Sequence, residues 1–309
     1  MSASYELARY RPESPTLLTL GVFDGVHRGH LYLIDTLRAH ARTRGLLPGI
    51  VTFTPHPMEV LHPCLRLPLL TSLEERLQLL KEKAETALIA PLTFTRELSE
   101  YSPDEFVQVL LEHLNMAGLV LGPDFGMGKD RAGTVRTLER LGSDRGFSVE
   151  VVPPYRIGGE IVSSTAIREA LSQGDLKKAA CMLGRRFSVS GTVISTSRRG
   201  ASLGYPTANL IIGPERALPR DGVYATIAHV PNGRFGAVTN IGYRPTFGLT
   251  ERVVETHILD FDGHIYGTLL KIEFLAMIRG EITFRNPEAL VAQIHLDVKA
   301  ARQVLGEYG

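Results

Sequence analysis

Cysteine is scarce in this chain: it has Cys64 and Cys181, too few for a disulfide framework, and no C-x-x-C pair suggests zinc. A reducing, cytoplasmic setting is the expectation. Neither sign of charge is in excess, since 34 Lys and Arg stand against 33 Asp and Glu for a formal net charge of +1. The chain therefore has no strong field for nucleic acid or an anionic membrane, and neither is expected as a partner. No uninterrupted apolar run approaches the roughly 20 residues of a membrane helix. The polar stretch 1–15 lacks a signal-peptide core. What is there is an ordinary soluble composition, 44% hydrophobic and 22% charged over 309 residues. That length allows about two domains of roughly 100–200 residues each.

Residues 17–30 organise the first half. The apolar run 17–20 reads as a buried strand, and Gly21 and Gly25 break it, letting backbone approach a ligand. Leu33, Ile34, Leu37 and Ala41 then recur at helical spacing. His27 and His30 sit three apart at the mouth of that helix. Its free N–H groups and partial positive charge suit phosphate. Two imidazoles there could donate to charge that develops on an attacked nucleotide phosphate. Taken alone, a H-x-x-H pair reads equally as half a metal site or a helix cap. Its context is narrower, because G-x-F-D-G-x-H-x-G-H follows the strand directly.

That motif resembles the signature of bacterial bifunctional riboflavin kinase/FAD synthetases (FMN adenylyltransferases). Its H-x-G-H core is shared with the wider nucleotidyltransferase superfamily. The resemblance implies that Gly21, Phe23, Asp24 and Gly25 line a nucleotide site and that His27 and His30 act in adenylyl transfer. It also places His56, in the F-T-P-H-P loop that closes the strand 46–54, beside the site. A glycine-rich loop, 122–133, resembles a further family segment, with Met127 standing where Phe is usual. Carried over, Asp124 and Arg131 line the same site. The run V-S-S-T-A-I-R at 162–168 offers a capped helix start with two hydroxyls and a cation. It matches the family's second adenylylation motif, so Ser163, Ser164, Thr165 and Arg168 join the list. Ser72 and Ser102 begin further helices, and strands at 88–94, 118–121 and 147–152 alternate with helices. Such alternation argues for a doubly wound, Rossmann-like parallel sheet.

A joint is expected at 184–186, with domains over 1–183 and 187–309. Beyond it the texture changes to short β-branched runs separated by Gly and Pro turns, which suggests an antiparallel barrel. A helix from 287 to about 305 carries the apolar stripe Leu290, Ile294, Val298 and Ala301. In an extended segment Thr207 and Asn209 point to one face. Their oxygens are hard ligands suited to Mg2+ beside a nucleotide phosphate. L-G-Y-P-T-A-N resembles the hallmark of riboflavin kinase, and the segments around Asn240 and Arg279 resemble the same family. Gly204, Asn240 and Arg279 are thereby expected to contact the ligands. Glu255 and His257 share one strand face. The family resemblance makes Glu255 the base that takes the proton of an attacking alcohol. His257 reads as a barrel-face histidine.

The kinase loop departs from the family pattern, since Thr196 and Ala201 replace a glycine and an arginine. Arg199, next to Gly200, either contacts phosphate in place of the missing arginine or is, with Arg198, a solvated loop charge. The function implied is phosphorylation of riboflavin by ATP to FMN, then adenylylation of FMN by a second ATP to FAD, with Mg2+ as the metal. One rival reading is a tRNA-linked enzyme, against which the absence of a basic tract counts. The other is a flavin-binding regulatory or storage protein with one or both sites inactive.

Overall fold

Helix starts in the first half are written as side-chain caps. Ser72 and Ser102 each close a capping box, with Glu75 and Glu105 reaching back to the cap backbone. Pro103 takes the first helical position after Ser102, where no N–H is needed. The computed structural model describes residues 2–85, 88–194, 205–246 and 249–307. Two compact units divide after Ser164.

The first unit runs α1 (Ala3–Leu7), β1 (Thr16–Gly21), α2 (Arg28–Arg44), β2 (Leu47–Thr54), α3 (Pro57–Leu61), α4 (Leu73–Ala84), β3 (Leu88–Thr93), α5 (Arg96–Ser99) and α6 (Pro103–Leu114). It continues with β4 (Met116–Leu121), β5 (Gly126–Met127), β6 (Gly133–Thr134), α7 (Val135–Arg145), β7 (Ser148–Val151), β8 (Arg156–Ile157) and β9 (Glu160–Ile161). Five strands form a parallel sheet in the order β3-β2-β1-β4-β7. Alternate strand residues feed opposite faces. Leu17, Ile50 and Val120 pack against Ile34, Leu37 and Ala41 of α2 and Leu80 of α4. Leu18, Leu20, Val51 and Leu119 face the other way, toward Phe106 and Leu110 of α6 and Leu138 of α7. The strand order reverses between β1 and β4, so the carboxyl end of β1 is a topological switch point, where open α/β sheets bind ligands.

The second unit comprises α8 (Ser164–Gln173, from Thr165 on), α9 (Leu176–Leu183), β10 (Ser188–Ile194), β11 (Ala208–Ile211), β12 (Gly222–Val230), β13 (Gly233–Thr246), β14 (Leu249–Ile258), β15 (Leu269–Arg279) and α10 (Pro287–Glu307). The six strands close into an antiparallel barrel in the order β10-β11-β14-β13-β12-β15. Val223, Ala225, Val238 and Leu275 pack outward against Val298, Ala301 and Leu305 of α10. The opposite, inward face carries Tyr224, Phe274 and a ladder of buried hydroxyls. Thr226 Oγ1 lies 2.8 Å from Thr239 Oγ1, which lies 3.0 Å from Thr256 Oγ1. These bonds satisfy hydroxyls that burial would otherwise strand.

The α/β sheet followed by a barrel and terminal helix is the architecture expected from sequence. Several elements differ from expectation. The stretch 1–15 holds α1, whose Ala3 and Leu7 are buried, and Pro57 opens the short α3. The strand expected at 234–241 extends to Thr246, because pairing with β14 continues through Gly242↔Val253 to Thr246↔Leu249. Among the described residues no helix is long and apolar enough to cross a membrane.

Candidate active sites

The first site is built on the turn between β1 and α2. Phe23, Gly25 and Val26 all take positive φ, at 54°, 83° and 39°. That conformation is costly for a β-branched residue such as Val26 and persists only where surroundings enforce it. The enforcement is visible. The Asp24 carboxylate, 3% exposed, accepts from Leu70 N and Thr71 N at 3.0 Å each and from Thr71 Oγ1 at 3.2 Å. Gly25 N donates to Thr71 Oγ1 at 3.0 Å, and Ser164 Oγ donates to the Asp24 carbonyl at 2.9 Å. The Val22 carbonyl accepts from Thr52 Oγ1 at 2.9 Å and from Arg76 Nη1 at 2.7 Å. Arg76 Nη2 reaches the Phe53 carbonyl at 3.1 Å, so one guanidinium braces the ends of both β1 and β2. Burial depresses the Arg76 pKa below the usual guanidinium range, and Asp24 opposes that shift.

His27 caps α2, its Nδ1 accepting from His30 N at 3.2 Å. An accepting Nδ1 places the proton of the neutral ring on Nε2. The two imidazoles stack at 3.5 Å between centroids, 16° apart, and the Phe23 ring meets His30 edge-on at 5.1 Å. Gly29 is required here, because a Cβ would stand 2.9 Å from the Val162 carbonyl and 3.1 Å from the His27 ring. Gly21 ends β1 with the Phe23 ring against it. His56 caps α3, accepting from Met58 N at 3.1 Å. In the 122–133 loop, Asp124 and Arg131 are exposed, and Arg131 Nη2 donates to the Asp124 carbonyl at 2.8 Å. Met127 is buried in the core below. Ser163 and Ser164 are half-buried and Thr165 is exposed. Arg168 belongs to the second unit, on α8.

The second site crosses three barrel strands. Asn209 of β11 pairs in register with Glu255 of β14, and Glu255 with Asn240 of β13. Their ladder neighbours Ala208, Thr256 and Thr239 are buried, and Thr256 and Thr239 belong to the inward hydroxyl ladder. The amide–carboxylate–amide row therefore faces outward, with directly opposite Cβ atoms about 5 Å apart. Gly242 continues that face, and a Cβ there would overlap the Glu281 carboxylate. Thr207 precedes β11 and lines a cavity of 230 Å³ with Thr256, Ile258, Phe261 and Tyr266. Among the described residues no cluster of three or more His, Cys, Asp or Glu side chains is placed to hold a metal ion. Arg279 lies at the rim, its Nη2 donating to Asp297 of α10 at 2.7 Å and its guanidinium carbon 5.8 Å from the Phe284 ring centre. Asp297 is 3% exposed and also accepts from Gln293 at 2.9 Å, so Arg279 fastens α10 to β15. Gly204 and Arg199, with Thr196 and Ala201, lie outside the described residues.

Three participants escaped the sequence reading. Arg76 interrupts the buried stripe of α4 between Leu73 and Leu80, and a cation on an apolar face is a legible signal. Glu281 stands in a motif already noted, but its approach to Gly242 needs the fold. Thr71 has no local pattern.

The FAD synthetase family model matches residues 10–166, and the riboflavin kinase family model matches residues 183–305. A bifunctional riboflavin kinase/FMN adenylyltransferase of Listeria monocytogenes is 34% identical over 93% of this chain and 91% of its own. The protein of the same name from Escherichia coli is 33% identical over 96% and 94%. That from Pseudomonas fluorescens is 35% identical over 96% and 95%. A crystal structure described as a macrolide-efflux protein from Streptococcus pneumoniae superposes with a TM-score of 0.84 at 31% identity, covering 94% of this chain and 95% of that one.

Proposed function

The chain belongs to the bifunctional riboflavin kinase/FMN adenylyltransferase family, and on that premise we propose which residues carry its two activities. Residues 187–309 phosphorylate riboflavin with ATP, residues 1–183 join AMP from a second ATP to FMN, and 184–186 is the joint. The setting proposed is the cytoplasm, with riboflavin, FMN and ATP as partners and neither nucleic acid nor membrane.

In the kinase step Glu255 takes the proton of the riboflavin primary alcohol as its oxygen attacks the γ-phosphorus and ADP leaves. Asn240 and Asn209 flank that carboxylate and orient alcohol and phosphate. The donor set fits a hard cation: the Thr207 hydroxyl and Asn209 amide oxygen would hold Mg2+, leaving its other positions to water and phosphate. When bound, Mg2+ neutralises charge on the transferring phosphoryl group. Arg199 and Gly204 are assigned to the nucleotide phosphates from sequence alone.

In the adenylyl step the FMN phosphate is already ionised, so it attacks the α-phosphorus and releases pyrophosphate with no protein base. The chain supplies position and charge. His27 Nε2–H and His30 donate to the developing charge, and the N-terminus of α2 adds its dipole; Arg168 is assigned to this step from sequence alone. Ser163, Ser164, Thr165, Asp124, Arg131 and His56 complete the nucleotide and flavin contacts. Phe23, Asp24 and Gly25 act through the shape they give the turn, and Arg279 through the seat it gives α10.

The observation that carries the kinase assignment is the register across β11, β14 and β13, which sets one carboxylate between two amides on an outward face. The test is incubation with riboflavin, ATP and Mg2+ followed by separation of flavins. FMN and FAD together are expected; flavin binding without turnover would support a regulatory or storage protein instead.

A further inference from the structure

The two residues assigned to the metal are held in different ways. Asn209 sits inside β11, and the ladder to Glu255 fixes it. The last pair of that ladder toward the chain's start is Ala208↔Thr256. Pro206, which has no N–H to give a ladder, and Thr207 lie beyond it. Pro206, Thr207 and Ala208 all line the cavity, and of these Pro206 and Thr207 lie outside the ladder.

What reaches this segment is an imidazole from the neighbouring strand. His257 Nδ1 lies 2.8 Å from the Pro206 carbonyl oxygen. A carbonyl can only accept, so Nδ1 carries the proton of this bond. The Tyr205 ring packs edge-on against His257 at 5.4 Å and 81°. Tyr205 Oη in turn lies 3.5 Å from His295 Nδ1 on α10. His257 is two residues from Glu255 on the same strand face, so one rigid strand presents both the base and the group that holds the metal segment.

We propose that His257 is the positioning residue of that segment: its Nδ1–H holds the Pro206 carbonyl and so sets where Thr207 presents its hydroxyl. This rests on the assignment of Thr207 and Asn209 to Mg2+. A ligand displaced by a fraction of an ångström loses most against a small ion that demands near-octahedral geometry.

The test uses the full chain in four forms: unaltered, His257→Phe, His257→Asn and Thr207→Val. His257→Phe keeps a ring for Tyr205 and removes the donor. His257→Asn returns an N–H close to the Nδ1 position. Two quantities are measured against Mg2+ concentration. One is FMN formation at saturating riboflavin and ATP. The other is quenching of riboflavin fluorescence in the presence of ADP, where no turnover occurs and the first unit contributes the same background in every form. His257→Phe and Thr207→Val are each expected to raise the half-saturating Mg2+ concentration about five- to ten-fold, the worth of roughly one hydrogen bond. His257→Asn should stay within about three-fold, and adenylylation of added FMN should not change. If Thr207→Val shifts the Mg2+ dependence and His257→Phe does not, His257 is only structural and the proposal fails. If neither shifts it, the assignment of this segment to the metal fails, and the proposal with it.

Discussion

The turn 22–27 of the first unit and the segment 205–209 of the second have like tasks in the proposed reading, since each presents side chains to a nucleotide phosphate. They are held by opposite means. The turn carries three positive-φ residues in four positions and is clamped by a buried carboxylate, two threonines and one guanidinium. In the segment, strand register fixes Asn209, the His257 imidazole reaches the Pro206 carbonyl, and Tyr205 Oη lies 3.5 Å from His295 Nδ1. The chemistry explains the contrast. Adenylyl transfer from an already ionised phosphate asks only for fixed positive groups, and such electrostatic stabilisation gains from rigidity. Phosphorylation of an alcohol asks for a proton acceptor and for ligands to an ion that arrives with its waters, so its groups are spread over three neighbouring strands.

The sharpest way to break the comparison is to disable each site alone. Glu255→Gln keeps the shape and cannot take the proton, so FMN formation should fall by about 10²–10⁴-fold while added FMN is still adenylylated. The double variant His27→Ala with His30→Ala should do the reverse, abolishing FAD formation and leaving FMN formation nearly intact. Parallel loss of both activities in either folded variant would show that the two sites are not separable.

A second test concerns where the barrel's stability ends. The compact unit begins at Thr165, whereas the change of sequence texture lies at 184–186. Leu176, Ala179, Met182 and Leu183 of α9 are buried, and α9 packs on β15. Fragment 165–309 should fold and make FMN. Fragment 187–309 should be less stable by on the order of 3 kcal/mol, the worth of one or two buried side chains. Equal urea midpoints for the two fragments would return the boundary to the sequence joint.

How much of this was legible follows from what each residue's partner is. Helix caps at Ser72 and Ser102, and the stacked pair His27 and His30, announce themselves because partners lie three residues apart. The outward row Asn209, Glu255 and Asn240 was legible only residue by residue, since the pairing of β11 with β14 comes from barrel closure. Asp24 was expected to face a ligand, but its partners Leu70 and Thr71 lie far along the chain and no local pattern names them. His257 read only as a barrel-face histidine for the same reason: its acceptor is a carbonyl, and a carbonyl leaves no mark in sequence.

Arg76 offers a smaller, finer test of the clamped turn. Arg76→Lys keeps a cation near Asp24 but cannot span the Val22 and Phe53 carbonyls together. Loss of one charge-assisted bond, about 1.5–3 kcal/mol, should slow FAD formation from FMN about ten-fold or more. FMN formation is the internal control and should not move. An unaltered rate of FAD formation would mean that Asp24 and Thr52 hold the turn without the guanidinium.

The smallest expected effect separates the units by pH. Tyr224 lies on the inward face of the barrel, donates to the Arg220 carbonyl and meets the Phe274 ring edge-on at 5.3 Å. Burial pushes its phenol from 10.0 up to about 12. Between those values the unfolded chain releases this proton and the folded barrel keeps it. The folded state then binds more protons, so stability falls as pH rises through that window. Below it the contribution is fully present. Tyr224→Phe loses a hydrogen bond of about 1 kcal/mol and should melt lower than the unaltered chain at pH 8. It also lacks the ionisation, so its melting temperature should decline less between pH 9.5 and 11, and the gap between the two proteins should narrow. The loss of kinase activity on heating reads the second unit directly, and the loss of adenylylation serves as its control. Two curves that stay parallel across that range would show that the phenol's proton is not retained by the fold.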